Sequence, residues 1–304
     1  MPSTAQSVTV IGLGPMGQAM AAAYLDRGYR VTLWNRTPSR ADALVARGAI
    51  IAGSVESALR ANELVILSLT DFDAMYAILG SAEEAKAAVA GRTLVNLSSD
   101  TPEKARAGAR WVTGLGGTHL TGGVLCPPPL IGTPDTSTFY SGPREAYDRH
   151  RAALEVITGT SDYRGEDQGL AALMYQLNMA VFWPAMIAFW QATAIAGAHG
   201  LSAREIAPYV TENFAGMGHF IDFYASRIDA GNHTGDVDRT AMGLASMEHV
   251  VHTASDAGVD TAFPAAVHDI FRRVVAAGHG ADSFSRAVEL MRGHATLGAT
   301  RIPM

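Results

Sequence analysis

Hydrophobic and polar positions divide the chain into two parts with different periodicities. Up to about residue 165, short apolar runs alternate with segments whose apolar residues recur at helical spacing, which is typical of strands that alternate with helices. This alternation predicts an α/β domain with a parallel, doubly wound sheet. The predicted strands cover 7–13, 29–35, 48–51, 63–69, 93–99, 119–125 and 137–141, and the predicted helices cover 16–27, 39–47, 55–61, 74–90 and a segment that begins at Pro102.

The pattern becomes entirely helical after about residue 165. Residues 169–199 form one apolar stretch that Pro184, Gln191 and His199 interrupt, so we predict a buried helix and no membrane span. Further helices are predicted over 203–213, 216–230, 238–258, 262–277 and 282–296. The predicted domains are therefore an α/β domain over 1–165, an inter-domain helix over 166–198 and an all-α domain over 199–304. A long joining helix would expose apolar faces in a monomer, so a homodimer is expected.

Composition narrows the possible partners and the compartment. The net charge of −6 argues against a nucleic-acid partner. A single cysteine, Cys126, excludes an intrachain disulfide and fits a reducing compartment. The first residues lack the basic region of a signal peptide, so we expect a cytoplasmic protein. No third ligand accompanies the pair His249 and His252, and no metal site is expected.

A glycine motif follows the first predicted strand and opens the first predicted helix. In GLGPMG, Gly12, Gly14 and Gly17 form the G-x-G-x-x-G pattern of Rossmann dinucleotide-binding domains. These glycines allow a tight turn and a close approach of backbone to a pyrophosphate at the helix N-terminus. The cofactor contacts predicted from this loop are Gly12, Leu13, Gly14, Pro15 and Met16.

The residues after the second predicted strand favour NADP(H) over NAD(H). An NAD site places an acidic residue there to bind the ribose hydroxyl. This chain instead has Asn35, Arg36 and Thr37, with Arg40 one turn later. These side chains can donate hydrogen bonds to a 2′-phosphate, and those of the arginines are charge-assisted. The predicted cofactor is therefore NADPH.

Polar residues follow the fourth and fifth predicted strands, where ligands of such sheets bind. We predict cofactor contacts at Leu69, Thr70, Asn96 and Ser98. Ser99 is predicted to contact the substrate, although it could equally cap the next helix. In GGVLCPPPLIG, two glycines would let backbone approach a ligand, and Leu125 is a predicted substrate contact. Cys126 has no basic neighbour in sequence, so we interpret it as a packing residue.

These motifs, together with WNRT, NLSSDTP and the helix from Gly169, resemble the β-hydroxyacid dehydrogenase superfamily over essentially the whole chain. Within it, they resemble the imine reductases and reductive aminases. The resemblance implies an N-terminal Rossmann domain, a long inter-domain helix and a C-terminal helical bundle that is exchanged between two subunits. It also implies an active site between the Rossmann domain of one chain and the bundle of the other.

The position of the catalytic lysine of the hydroxyacid dehydrogenases is Tyr175 here, which the resemblance identifies as the tyrosine type of imine reductase. The chain has only two lysines, Lys86 and Lys104, so the second half offers no substitute. Tyr175 is the predicted catalytic residue, which would anchor the substrate nitrogen or relay a proton to it. The predicted reaction is NADPH-dependent reduction of a C=N bond, of cyclic imines for example, to an amine. The other predicted substrate contacts are Met179, Phe182, Trp183, Asn213, Phe214 and Met242.

Three other functions compete with this prediction. An NADP-dependent dehydrogenase of 3-hydroxyacids would need a base at position 175 and an anchor for a carboxylate. A non-catalytic NADP(H)-binding protein would need only the glycine loop and the polar residues after the second strand. A reductive aminase would also assemble the imine from a ketone and an amine, and we rank it below simple imine reduction.

Overall fold

The computed structural model describes residues 6–292, in which eight strands form one sheet. The strands are β1 (Ser7–Ile11), β2 (Arg30–Trp34), β3 (Ile50–Ile51), β4 (Leu64–Leu67), β5 (Thr93–Asn96), β6 (Thr118–Val124), β7 (Ser137–Ser141) and β8 (Thr160–Tyr163). Their order across the sheet is β3-β2-β1-β4-β5-β6-β7-β8. The order reverses between β1 and β4, as it does in doubly wound dinucleotide-binding sheets.

Helices cover both faces of this sheet, and each face has its own core. The helices are α1 (Pro15–Asp26), α2 (Asp42–Val45), α3 (Val55–Ala61), α4 (Phe72–Leu79), α5 (Glu83–Ala87), α6 (Pro102–Gly114) and α7 (Arg144–Leu154). One core contains Val10, Met20 and Tyr24, and the other contains Leu67, Phe72 and Val112. All four residues of β4 are buried, as its continuous apolar run predicts. The predicted fold class, a Rossmann-like sheet domain followed by a helical domain, is confirmed.

The sheet is mixed, whereas the sequence predicted a parallel one. Strand β7 pairs antiparallel with β6, and Gly122 lies opposite Tyr140. Residues 125–136 connect these strands without an α-helix, and a connection without a crossover helix favours antiparallel pairing. Helix α7 and strand β8 were not predicted. Strand β8 is TSDY, which has no apolar run because it is an edge strand with no fully buried residue.

Two predicted helices of this first part differ in detail. The segment predicted as a helix over 74–90 is two helices, α4 and α5, since α4 ends at a C-cap glycine, Gly80. The helix predicted over 39–47 starts with a 3₁₀ turn, Pro38–Ala41, and only then continues as α2.

The rest of the described chain is helical. It contains α8 (Gly169–Ala198), α9 (Ala203–Asp229), α10 (Thr240–Asp256), α11 (Ala262–Val274) and α12 (Ala287–Arg292). The two helices predicted over 203–230 are one continuous helix, so the predicted break near residue 214 is wrong. Gly216 and Gly218 follow that point, but both remain helical. Helix α11 runs into a π-helical turn, Val275–His279, which contains Gly278 with a φ of 91°. Residues 293–296 of the last predicted helix lie outside the described residues.

Contacts divide the chain into two compact units, with the division between Val181 and Phe182, inside α8. The predicted domain boundaries at 165 and 198 stay a prediction. Helix α8 is long and apolar enough to cross a membrane by length and composition alone, and its most apolar stretch has no buried residue. The prediction of a buried helix is therefore wrong for the single chain, because Leu177, Val181 and Trp190 are exposed.

Candidate active site

Three strands end at the same edge of the sheet and place the candidate site there. Ile11 of β1 is in register with Leu67 of β4, and Leu67 is in register with Asn96 of β5. The glycine loop and the segments that follow β4 and β5 therefore meet at one edge. Ligands bind at this position in open α/β sheets.

Each glycine of the first loop is favoured at its position for a different physical reason. Gly12 has a φ of 95°, and a Cβ there would lie 2.2 Å from the carbonyl oxygen of Ser68. A Cβ on Gly17 would lie 1.9 Å from the carbonyl oxygen of Gly12, so α1 packs directly on the loop. Gly14 differs, because a Cβ there would have no heavy atom within 4 Å. The space beside Gly14 opens where no side chain caps α1, and it fits a pyrophosphate at the helix N-terminus.

The peptide groups of Leu13 are held on both sides by side-chain amides. Asn35 Oδ1 accepts a hydrogen bond from the Leu13 N–H at 2.9 Å, and Gln18 Nε2 donates to the Leu13 carbonyl at 3.0 Å. Asn35 Nδ2 also donates to the carbonyl of Thr37 at 2.9 Å. Asn35 therefore joins the glycine loop to the turn after β2, in addition to any contact with a ligand.

A first cavity of about 370 Å³ lies over this loop. Of the predicted cofactor residues, it brings together Gly12, Leu13, Gly14, Pro15, Met16, Asn35, Arg36, Thr37, Arg40, Leu69 and Thr70. Arg36 and Arg40 are exposed and form no ion pair with a carboxylate in the described part of the chain. No acidic residue lines the cavity within residues 6–292, so its charge suits a phosphorylated ribose.

One wall of the first cavity was not predicted from the sequence. Trp34, Ala74 and Ile78 line it as well. Ala74 and Ile78 are four residues apart on α4 and therefore lie on one helix face. That spacing was visible in the sequence, but nothing in the sequence places this face beside the glycine loop.

A second cavity of about 220 Å³ shares four lining residues with the first: Met16, Ser68, Leu69 and Thr70. It contains the predicted residues Ser98, Ser99 and Tyr175. Its other lining residues are Met20, Leu97, Asp100, Gly122, Gly123, Val124, Cys126 and Ala172. Because the two cavities share these residues, they adjoin, and a ligand in the first can contact a small molecule in the second.

Asn96 and Leu125 lie beside these cavities and do not line them. Asn96 is completely buried, and its Oδ1 accepts a hydrogen bond from the Ser98 N–H at 3.0 Å. Ser98 Oγ in turn accepts from the Leu69 N–H at 3.2 Å. Asn96 thus shapes the loop after β5, and Ser98 and Leu69 are the residues of this group that line a cavity.

Ser99 lines a cavity and does not cap the next helix. Thr101, and not Ser99, caps α6, because its hydroxyl accepts a hydrogen bond from the Lys104 N–H at 3.3 Å. Ser99 lines the second cavity and accepts a hydrogen bond from Gln176 Nε2 at 3.4 Å. Gln176 also donates to the Asp100 carbonyl at 3.1 Å, so the helix of Tyr175 is joined to the loop after β5.

Tyr175 is positioned by the glycines of β6 and by the start of α8. A Cβ on Gly123 would lie 2.8 Å from Tyr175 Cβ, so only glycine lets the strand approach this closely. Arg106 of α6 makes two hydrogen bonds of 2.8 Å to Asp167. Asp167 Oδ1 also accepts from the Gly169 N–H at 2.9 Å and fixes the first turn of α8. The hydrogen bonds from the Arg106 guanidinium hold the pKa of Asp167 below its usual range.

A buried polar cluster supports the same turn. Gln168 Oε1 lies 3.0 Å from His119 Nδ1 and accepts a hydrogen bond from the Thr121 hydroxyl at 3.0 Å. Because an amide oxygen only accepts, His119 Nδ1 carries the proton. Its Nε2 is buried and unpartnered within the described residues. Burial lowers the pKa of His119 to about 4, so the ring is neutral near pH 7.

Cys126 lines the second cavity as a half-buried thiol. Burial raises its pKa, which outweighs the hydrogen bond with Thr136. A protonated thiol is a poor nucleophile, and this agrees with the interpretation of Cys126 as a packing residue.

The remaining predicted substrate contacts are described within their own units. Met179 is half-buried on α8 in the first unit. In the second unit, Phe182, Trp183, Phe214 and Met242 are all more than two-fifths exposed. Asn213 lies within α9 and lines an apolar groove with Met217, Phe220, Ile221, Tyr224, Ala225, Ile228 and Phe284. Their roles toward a substrate stay predictions.

Two family models together match almost the whole chain. Residues 7–165 match the NAD binding domain of 6-phosphogluconate dehydrogenase. Residues 167–293 match the C-terminal domain of NADPH-dependent reductive aminase-like proteins.

Solved structures of similar sequence agree with both models. An imine reductase from Streptomyces aurantiacus is 76% identical, with a TM-score of 0.91 over 94% of this chain and 99% of that chain. An imine reductase from Bacillus cereus is 54% identical, with a TM-score of 0.84 over 95% and 99%. A reductive aminase from Aspergillus terreus, solved in complex with NADPH and ethyl levulinate, is 30% identical, with a TM-score of 0.90 over 95% and 100%.

Proposed function

The chain belongs to the family of NADPH-dependent imine reductases and reductive aminases, and from that premise we propose how its own residues reduce a C=N bond to an amine. One observation carries the proposal: the cavity that contains Tyr175 shares its lining with the cavity over the glycine loop. A C=N bond in the second cavity would therefore lie next to the reactive end of a dinucleotide in the first.

NADPH is the cofactor, and the first cavity fits it. Gly14 leaves room for the pyrophosphate, and Arg36, Thr37 and Arg40 bind the 2′-phosphate. When bound, NADPH supplies the hydride that adds to the imine carbon. The apolar wall of Trp34, Ala74 and Ile78 would be available to hold the adenine.

Tyr175 acts on the nitrogen of the substrate. Hydride addition to the carbon of a C=N bond leaves a nitrogen that needs one proton, unless the substrate enters as an iminium ion that already has it. A neutral phenol can donate a hydrogen bond to that nitrogen and hold it beside Ser98 and Ser99. Gly123 of β6 sets how closely Tyr175 approaches the sheet, because a Cβ on Gly123 would lie 2.8 Å from Tyr175 Cβ.

The active enzyme is a homodimer in this proposal. Helix α8 has exposed Leu177, Val181 and Trp190, and α9 has exposed Phe220 and Ile221. Apolar faces of this extent are typical of subunit interfaces. The second copy would cover them and would contribute Asn213, Phe214 and Met242 to the substrate wall. Sedimentation of the purified protein tests the dimer, and a monomer at assay concentration would overturn this part.

The test of the activity is loss of NADPH absorbance with 2-methyl-1-pyrroline. We expect turnover with this imine, and with larger cyclic imines, that is faster with NADPH than with NADH. A ketone and an amine supplied together show whether amination also occurs. Turnover of 3-hydroxyacids without turnover of any imine would overturn the proposal, and so would NADPH binding without any turnover.

A further inference from the structure

The second cavity contains one charged side chain among the described residues that line it, and this is Asp100. Its side chain is only 12% exposed. Asp100 was not among the site residues predicted from the sequence. In the structure, it lines the same cavity as Tyr175.

Hydrogen bonds fix the Asp100 carboxylate in place. Oδ1 accepts from the Thr101 N–H at 2.8 Å, and Oδ2 accepts from the Phe72 N–H at 3.3 Å. The Asp100 carbonyl accepts from Gln176, the neighbour of Tyr175 on α8. The carboxylate therefore cannot turn without breaking bonds to two backbone amides.

One lysine lies between Asp100 and a second carboxylate. Lys104 Nζ is 3.6 Å from Asp100 Oδ2 but only 2.7 Å from Asp73 Oδ2. The carboxylates of Asp73 and Asp100 and the ammonium of Lys104 together carry a net charge of −1. Because Lys104 lies closer to the exposed Asp73, the uncompensated charge lies on the side of the buried Asp100.

We infer that Asp100 is a specificity-determining residue that favours cationic substrates, the iminium form of a C=N bond above all, over neutral ones of the same shape. This rests on the proposed function. In a partly desolvated cavity, a fixed negative charge attracts a cation much more strongly than it does in water. Hydride addition neutralises the iminium charge, so the attraction is greater before the transition state than in it. Asp100 therefore strengthens substrate binding and lowers KM for the cation, and it does not raise kcat.

The experiment compares Asp100→Asn and Asp100→Ser with the unchanged protein. The reacting probe is 1,2-dimethyl-1-pyrrolinium, an iminium ion with a permanent charge. The binding probe is 1,1-dimethylpyrrolidinium, which cannot be reduced, and its neutral counterpart is cyclopentanone. Binding to the protein loaded with NADP⁺ is measured by calorimetry and does not require turnover.

Both variants should raise the KM for the iminium ion and the Kd of the cationic probe about tenfold, while cyclopentanone binding changes by less than about twofold. The kcat should be unchanged or higher. Lys104→Gln should have the opposite effect and tighten binding of the cation, because it removes the compensating charge. Lys86→Gln makes the same chemical change on α5 and should have no effect. Added salt should weaken cation binding in the unchanged protein and much less in the Asp100 variants.

Equal losses for the cation and for cyclopentanone would overturn the inference, because Asp100 would then act only by holding the loop. A fall in kcat with unchanged cation affinity would overturn it too. If the unchanged protein turns over no imine, the proposed function fails, and the calorimetry still decides the role of Asp100. Thermal melting of each variant shows whether the fold is intact, and Lys104→Gln tests the charge without altering Asp100.

Discussion

Asn35 and Leu13 are joined by a hydrogen bond of 2.9 Å from the Leu13 N–H to Asn35 Oδ1, which ties the turn after β2 to the glycine loop after β1. Asn35 Nδ2 donates a hydrogen bond to the Thr37 carbonyl. Asn35 therefore holds together two segments that both line the first cavity, so any role it has in cofactor selectivity includes a structural part.

Two substitutions of Asn35 separate these contributions. Asn35→Ala removes both hydrogen bonds and should weaken NADPH and NADH binding alike. Asn35→Asp keeps the acceptor for Leu13 but places a carboxylate beside the 2′-phosphate, so it should weaken NADPH binding about tenfold or more and NADH binding much less. Fluorescence titration with each cofactor measures both. Unchanged NADPH affinity in Asn35→Asp would contradict this assignment.

Arg36 should account for much of the preference for NADPH. Arg36→Ala removes a charge-assisted donor worth about 1.5–3 kcal/mol, so the KM for NADPH should rise about 10- to 100-fold. The KM for NADH should hardly change. Arg47→Ala is the control, because Arg47 pairs with Asp26 on the surface. A parallel rise for both cofactors would place Arg36 outside the phosphate site.

Gly14 and Gly17 should respond differently to the same added methyl group. Gly14→Ala adds a Cβ in open space, so the unliganded protein should keep its Tm while NADPH affinity falls at least about tenfold. Gly17→Ala forces a Cβ against the Gly12 carbonyl and should cost about 1–3 kcal/mol of unfolding free energy. Melting curves with and without NADPH distinguish them. Normal NADPH binding by Gly14→Ala would show that no phosphate group approaches this residue.

Tyr175→Phe should lower kcat/KM for 2-methyl-1-pyrroline by about 100-fold if the hydroxyl transfers a proton, and by about tenfold if it only anchors nitrogen. Tyr76→Phe is a suitable control, since Tyr76 packs on Trp111 and lines neither cavity. Steady-state rates with saturating NADPH give the comparison. A Tyr175→Phe enzyme as fast as the unchanged protein would assign the tyrosine to packing.

His119 should make stability depend on pH. Its pKa is about 4 in the folded protein and about 6.5 when unfolded, so the unfolded chain binds more protons between these values. Burial of the neutral ring contributes fully to the free energy of unfolding above about pH 6.5. About 3 kcal/mol of that free energy is lost as the pH falls to about 4. Urea unfolding from neutral to acidic pH should show this decline, and His119→Gln should flatten it. An equally steep decline in that variant would point to other groups.

The architecture was predictable where the chain has long apolar runs. Strand β4 and helix α8 were found because their composition alone distinguishes them from loops. Strand β8 was missed because an edge strand with the sequence TSDY needs no apolar side chains. The break predicted inside α9 was wrong because helical packing tolerates Gly216 and Gly218.

The glycine loop and Arg36 each belong to a short motif that the sequence shows directly, and the fold brings both to the lining of one cavity. The site was not predictable where one residue type can serve two roles, or where only the fold brings the residues together. Asn96 was expected to bind cofactor, but its amide oxygen bonds to the Ser98 backbone, and an asparagine can do either. Asp100 was not predicted as a site residue, and only the fold places it at the cavity of Tyr175.

The scarcity of lysine determines how the protein can be attached to a solid support. Only Lys86 and Lys104 offer side-chain amines, and both belong to the first unit, on α5 and α6. Coupling through lysine would thus attach this protein by its cofactor-binding unit, in few orientations. Acylating reagents would also remove the positive charge of Lys104 beside Asp100, whereas reductive alkylation would keep it. The choice of coupling reagent should therefore alter how strongly the immobilised catalyst favours iminium substrates over neutral ones.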